Sequence, residues 1–169
     1  MAKKTACLNI LGNDGSLAKL DWDSGLPVTL INTTDWQIWH ISDVTINQNS
    51  KIVTVPAGYE YQVLWLFVEY ISDANAGNRQ IVVDIRDQAD AVIGRVVAGA
   101  TQVASLTRRY MFAPSLADLG AFRNTTYLMT PFPPTVFLPA LYDIRVYDTA
   151  NISAGDDFTL HIQVARREL

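Results

Sequence analysis

The sequence has a single cysteine, Cys7, among its 169 residues, and so cannot form an intramolecular disulfide. This excludes the small secreted scaffolds that several disulfides hold together. No histidine lies near Cys7 in the sequence, and reactive thiols need an electropositive environment. We therefore expect an inert thiol, and a fold that depends on a hydrophobic core, for which 49% hydrophobic residues are sufficient.

Charge is also scarce: 18% of the residues are charged, and the net charge is -4. Nucleic-acid binding requires clustered Lys and Arg, whereas the basic pairs Lys3-Lys4 and Arg166-Arg167 lie at the chain ends. No segment reaches the roughly 18 consecutive apolar residues of a membrane helix. The N-terminus has no apolar run of signal-peptide length. We expect no nucleic-acid partner, no membrane partner and synthesis in the cytoplasm.

Catalytic and cofactor motifs are missing as well, since the sequence has no GxSxG, P-loop, GxGxxG or HExxH pattern. The only two histidines, His40 and His161, are too few for a His-rich metal site within one chain, and His161 is expected at a surface or an interface. We predict no catalytic residue, no metal ligand and no cofactor, and hence a protein that is not an enzyme. Carboxylates that are close in sequence are predicted to be solvated turn residues, with a loop cation as the alternative: Asp21 with Asp23, Asp84 with Asp87 and Asp90, and Asp156 with Asp157.

What the chain does contain is a succession of short β-type segments with turn residues at almost every break and hardly any helical periodicity. Alternation is clear near the C-terminus, where Phe158, Leu160, Ile162 and Val164 share one face. The pattern predicts an all-β protein with an eight-stranded β-sandwich. The eight predicted strands are residues 51–55, 60–71, 79–86, 92–97, 103–113, 125–130, 142–148 and 158–165.

A jelly roll is the favoured form of this sandwich. It is a long hairpin folded over, and the small-residue turn at Gly99 lies near the middle of the set, with strand lengths roughly mirrored about it. We therefore predict that strand four pairs with five, three with six, two with seven and one with eight. A meander barrel and an immunoglobulin-like sandwich are the alternatives, and the Cys-Trp-Cys spacing of the latter is absent.

Residues 1–50 differ from the rest and are predicted to be an irregular N-terminal arm with short β segments, before a jelly-roll domain of residues 51–169. Turn clusters rich in Gly, Asn, Asp and Ser alternate there with short apolar pieces. Trp22, Trp36 and Trp39 lie in this arm, and each tryptophan buries on the order of 200 Å². The arm therefore packs either on its own domain or on a neighbouring subunit.

The longest predicted strand, residues 60–71, is apolar on both faces and is therefore expected to be covered on both. The sandwich core covers one face, and the arm or another subunit covers the other. Tyr61, Val63, Trp65 and Phe67 are predicted on one face, and Leu64, Leu66, Val68 and Tyr70 on the other.

Four sequence patterns accompany this aromatic strand: VPAG at 55–58, GNRQ at 77–80, LPALYDIRVYD at 138–148 and GDDFTLHIQV at 155–164. Together they resemble small jelly-roll virion proteins of tailed bacteriophages, including capsid decoration, or cement, proteins. The resemblance implies a structural protein on the capsid surface of the virion, often a homotrimer, that binds the major capsid protein and copies of itself. In some such proteins an N-terminal arm ties neighbours together. Related folds also occur in tail and receptor-binding proteins.

Large aromatic side chains and arginine are the expected interface residues of such an assembly. The alternative is a tail- or fibre-associated carbohydrate- or receptor-binding module, with Tyr59, Tyr61, Trp65, Tyr142 and Tyr147 as platforms for sugars. Exposed rings lining one loop end favour sugar binding, and rings buried under the arm or at a three-fold contact favour assembly. The candidate partner interface comprises Trp22, Trp36, Trp39, Tyr61, Trp65, Phe67, Arg108, Tyr142 and Tyr147.

Overall fold

The computed structural model describes residues 10–11, 17–18, 36–46, 48, 50–117, 126–149 and 155–169. The chain divides into two compact units, Met1–Asp35 and Trp36–Leu169. In the first unit, β1 (Ile10–Leu11) pairs antiparallel with β2 (Leu17–Ala18). The predicted boundary near residue 50 therefore falls inside the second unit, because residues 37–43 form a strand of its larger sheet.

Strands make up the regular structure of the second unit, and its described residues contain no helix. Consequently, no helix in the described part of the chain is long and apolar enough to span a membrane. The strands are β3 (Gln37–Asp43), β4 (Ser50–Thr54), β5 (Tyr59–Ile71), β6 (Ile81–Arg86), β7 (Val92–Val97), β8 (Thr107–Ala113), β9 (Tyr127–Pro131), β10 (Val136–Leu138), β11 (Asp143–Asp148) and β12 (Asp157–Glu168).

These strands form two sheets that share one core, so the fold is a β-sandwich. The larger sheet has the order β3-β12-β5-β8-β9, with β10 beside the first part of β5, and the smaller sheet has the order β4-β11-β6-β7. Neighbouring strands are antiparallel except β8 and β9, which are parallel. Buried side chains from both sheets form a single cluster, for example Val68, Phe112 and Leu160 from the larger sheet and Val83 and Ile144 from the smaller.

Eight of the strands pair in a nested order: β3 with β12, β4 with β11, β5 with β8 and β6 with β7. The predicted pairing is therefore wrong in its assignment, since residues 92–97 pair with β6 and residues 107–113 pair with β5. The error has one cause. The prediction left β3 out of the strand set and counted the segment around β9, which is a parallel strand at the sheet edge.

The central turn of the nested set consequently lies at residues 87–91, between β6 and β7, and not at Gly99. Asp87 organises this turn, because its Oδ1 accepts hydrogen bonds from the backbone N–H groups of Ala89 and Ala91. Asp90 adopts a positive φ of 62° there, a conformation that Asp tolerates better than most residues.

A bulge in β5 corrects the predicted division of that strand into two faces. Trp65 pairs with Gln163 and Val63 with Val164, so Leu64 is an extra residue between two consecutive partners on β12. An extra residue reverses the alternation of side chains. Trp65 and Phe67 therefore lie on the outer face, half-buried, and not on the face of Tyr61. The core positions of β5 are Tyr61, Val63, Leu66, Val68 and Tyr70.

Two of the carboxylates predicted to be solvated are buried instead. Asp84 is 2% exposed and Asp156 is 1% exposed, because each accepts hydrogen bonds from an arginine, Arg95 for Asp84 and Arg79 for Asp156. Asp90 is exposed as predicted. Asp21 and Asp23 lie outside the described residues.

Candidate functional site

The outer surface of the larger sheet carries a continuous group of aromatic, histidine and methionine side chains, which we call the outer aromatic face. The strand register places Ser42, His161, Phe67, Met111 and Met129 side by side across β3, β12, β5, β8 and β9. Gln163 and Trp65 lie in the next row, where Gln163 also pairs with His40. The outer aromatic face comprises His40, Ser42, Trp65, Phe67, Met111, Met129, His161 and Gln163.

Ring contacts hold this surface together. The His40 and His161 ring centroids are 5.5 Å apart with an interplanar angle of 20°. His40 also lies 5.9 Å from the Trp65 ring, and Phe67 lies 6.1 Å from the His161 ring. Because these contacts connect three strands, the face is a preformed surface and not a set of independent side chains.

The polar atoms of the face bond mainly to one another. Trp65 Nε1 donates to Gln163 Oε1 at 2.7 Å, and Ser42 Oγ lies 3.1 Å from His161 Nδ1. The indole therefore needs no external acceptor, although Trp65 is only half-buried. Glu69 and Arg109, one row further along β5 and β8, form an ion pair at 2.7 Å. The face thus combines aromatic and methionine side chains with polar groups that bond to one another, and it carries an ion pair at its margin.

The neighbouring end of the same sheet exposes further apolar groups. Ile38 on β3 is 61% exposed, and Phe137 on β10 is 48% exposed. Trp36 immediately precedes β3. Its ring centroid lies 5.9 Å from that of Phe137, and the guanidinium of Arg167 lies over it at 5.0 Å. Arg167 is in turn fixed by Glu60 at 2.6 Å. Trp39, 46% exposed, is covered by Arg166 at 3.9 Å.

Four of the predicted interface residues lie on the outer aromatic face or beside it at the sheet edge: Trp36, Trp39, Trp65 and Phe67. Tyr61 is in the core and Tyr142 packs against it. Arg108 is half-buried opposite Tyr70. Tyr147 lies on the smaller sheet, where Arg145 covers its ring at 4.6 Å. Trp22 lies outside the described residues.

The predicted sugar platform is dispersed. Tyr61 is buried, Tyr59 and Tyr142 are half-buried against the core, and Trp65 and Tyr147 belong to different sheets. These five residues therefore do not line one exposed surface. Their positions remove the feature that would favour a carbohydrate-binding module.

The smaller sheet carries an ion-pair network that the sequence analysis missed. Arg95 donates two hydrogen bonds to Asp84, at 2.7 and 2.9 Å, and a third to the Tyr147 hydroxyl. Burial by itself raises the pKa of Asp84, but the bonds from Arg95 and Tyr147 outweigh it and lower that pKa below its ordinary value. In the sequence, the alternation of residues 79–86 already places Asp84 on the outward face. Its partners Arg95 and Tyr147 lie on neighbouring strands and cannot be read from the sequence.

The described part of the chain holds no group of three or more His, Cys, Asp or Glu side chains that could bind a metal ion. A scan with protein-family models and a search of curated proteins each found no match to this chain. The outer aromatic face, together with the exposed residues beside it, is therefore the candidate site on structural grounds.

Proposed function

We propose that this protein is a jelly-roll structural protein of a tailed-bacteriophage virion, a capsid decoration, or cement, protein on the outer shell. In this proposal it acts as a homotrimer that binds the major capsid protein and stabilises the shell through contacts between copies and through its N-terminal arm. The single observation that carries the proposal is the outer aromatic face, with the exposed apolar side chains of Ile38 and Phe137 beside it.

The strand order supports the jelly-roll part of the proposal. Nested pairing of eight strands, with sheets of order β3-β12-β5-β8 and β4-β11-β6-β7, is the arrangement that results when a long hairpin is folded over into two sheets. β9 and β10 are then additions between the sixth and seventh strands of the set.

The sequence patterns behind the phage resemblance occupy positions that shape this fold. VPAG forms the turn from β4 into β5, where Gly58 has a φ of +82°. GNRQ places Arg79, which is fully buried, before β6. The other two patterns lead into β11 and β12. They therefore support the fold that the resemblance implies, while the role on the shell depends on the surface.

The surface supports assembly because large exposed apolar patches on soluble proteins mark interaction sites. Aromatic residues and methionine are enriched in interfaces, and the outer aromatic face contains both. An obligate interface buries upwards of about 2,000 Å² in total, so a sheet face of several strands is a suitable size of contact.

The first test is the mass of the full chain in solution, measured by light scattering. We expect a trimer for the natural chain and a monomer for the double variant Ile38→Asp with Phe137→Asp. Charged side chains at these two positions oppose their burial in an interface between copies. Val97→Asp on the smaller sheet, an apolar position that is 41% exposed, is the control and is expected to remain trimeric. A natural chain that is monomeric at high concentration, or a double variant that stays trimeric, contradicts this mode of assembly.

A second test determines where on the virion the protein is located. Antibodies raised against the chain are expected to label the capsid shell in electron micrographs of virions of the phage that encodes it. Labelling confined to the tail would contradict the capsid role and support the alternative, a tail-associated binding module. Absence of the chain from purified virions, checked by mass spectrometry, would contradict both.

A further inference from the structure

We propose that His40 and His161 form a binding site for one divalent transition-metal ion of the borderline class, such as Zn²⁺, Ni²⁺ or Cu²⁺, which imidazole ligands suit. The site lies on the outer aromatic face and bridges the edge strand β3 to β12. It is independent of the proposed virion role.

The spacing of the two rings carries this inference. Two imidazoles that bind one ion, each through a nitrogen about 2.0–2.1 Å from the metal, have ring centroids about 4.5–5.2 Å apart. The centroids of His40 and His161 are 5.5 Å apart. The rings are nearly parallel, at 20°, so binding requires a rotation of the His40 ring. His40 is exposed and has room for that movement.

The surroundings of His161 favour a metal ligand. Its Nδ1 lies 3.1 Å from Ser42 Oγ. When Nδ1–H donates to that oxygen, Nε2 keeps its lone pair for a metal, and such a hydrogen bond on the second nitrogen fixes ligating histidines in general. Phe67 packs beside this ring and limits its orientations. Trp65 lies beside the His40 ring, with centroids 5.9 Å apart, while His40 itself stays exposed.

Two protein ligands make an open site and not a closed structural one. Structural zinc sites use four protein ligands, whereas the described residues hold no group of three or more metal-binding side chains. Water or a group from a partner fills the remaining positions. The affinity is therefore expected to be modest and to depend on both histidines together.

The test is calorimetric titration of the tag-free full chain with ZnCl₂, in a Cys7→Ser background that removes the thiol as a competing ligand. We expect one ion per chain. His40→Ala and His161→Gln are each expected to lower the affinity at least tenfold, because either change abolishes chelation, and the double variant to lose little more. Thr159→Ala, on the same face of β12 as His161, is the matched control and is expected to leave the affinity unchanged.

A second readout places the ion beside Trp65. Cu²⁺ is expected to quench part of the tryptophan emission, and EDTA to restore it. The quenching is expected to be smaller in Trp65→Phe, while zinc binding persists. Zinc binding that survives loss of both histidines, or that falls only about twofold with each, overturns the proposal and assigns the ion to carboxylates elsewhere.

Discussion

Arg79 and Asp156 form a buried ion pair in which Arg79 Nε donates to Asp156 Oδ2 at 2.8 Å. The pair joins the residues before β6 and β12, and therefore connects the two sheets at one end of the sandwich. Asp156 also accepts from the Tyr70 hydroxyl at 2.6 Å and from the backbone N–H of Asp73 at 2.8 Å. Arg79 Nη2 donates to Asp73 and to the carbonyl of Asn75. One arginine thus organises the whole loop between β5 and β6.

Removing this arginine is expected to be strongly destabilising. Arg79→Ala leaves Asp156 buried without its main partner, and breaking a buried ion pair from one side costs about 3–5 kcal/mol. Chemical denaturation measures the free energy of unfolding. Arg109→Ala is the matched control, because its ion pair with Glu69 is partly exposed and such pairs contribute about 0.2–1 kcal/mol. Equal losses of unfolding free energy in the two variants would show that the buried ion pair stabilises the fold no more than the partly exposed one.

Acid is expected to weaken the smaller sheet through Asp84. The folded-state pKa of this carboxyl is lowered below its ordinary value, so its contribution to stability is fully present above the unfolded pKa of about 3.9 and is lost as the pH falls through the folded pKa. Between pH 5 and pH 2 the natural chain is expected to lose more stability than Asp84→Asn. Tyr147→Phe, which removes one of the bonds that lower this pKa, is expected to fall between them. Denaturation midpoints across this range provide the measurement, and identical pH profiles for all three chains would contradict the assignment.

Trp65 and its neighbour Leu66 are expected to differ in their effect on stability because they lie on opposite faces of β5. Trp65→Ala is expected to cost about 1–2 kcal/mol, because a half-buried side chain contributes only about half of the free energy that full burial of a large side chain provides. Leu66→Ala, in the core, is expected to cost about 2–5 kcal/mol. A loss for Trp65→Ala above that for Leu66→Ala in chemical denaturation would place the indole in the core.

Truncation is expected to distinguish the two possible boundaries of the sandwich. Deletion of residues 1–35 leaves the second unit whole, so we expect a cooperative thermal transition and a β-type circular dichroism spectrum. Deletion of residues 1–50 removes β3 from beside β12 and also removes three groups that the buried Lys51 Nζ contacts: Asp43 Oδ1, the Thr45 carbonyl and Gln48 Oε1. The longer deletion is therefore expected to be much less stable, and equal stability of the two chains would support the predicted boundary near residue 50.

Much of the core was predictable because alternation along a strand reports which side chains face inward. Phe158, Leu160, Ile162 and Val164, which the alternation places on one face, are all buried. The two faces of β5 were not predictable, because a single extra residue, Leu64, reverses the alternation of side chains. The residues around it are all apolar, so the sequence does not show where the reversal occurs. β3 was assigned to the arm and not to the sandwich, because its exposed residues, such as Ile38 and Trp39, do not alternate as a half-buried strand does.

The candidate site was predictable only in its residue types. Aromatic residues were expected at an interface, and Trp65 and Phe67 do lie on the outer aromatic face. Their neighbours, His40 and His161, are far apart in sequence, so the ring contact between them follows from the pairing of β3 with β12 alone.

The sequence by itself determined that the protein is all-β and which side chains of the regular strands enter the core, because local alternation and turn residues act over a few neighbouring positions. The tertiary structure decided which strands pair, where the central turn lies and which charges are buried. Those properties depend on contacts between residues distant in the chain, as when Arg79 meets Asp156, and a single sequence does not specify such contacts by any local pattern.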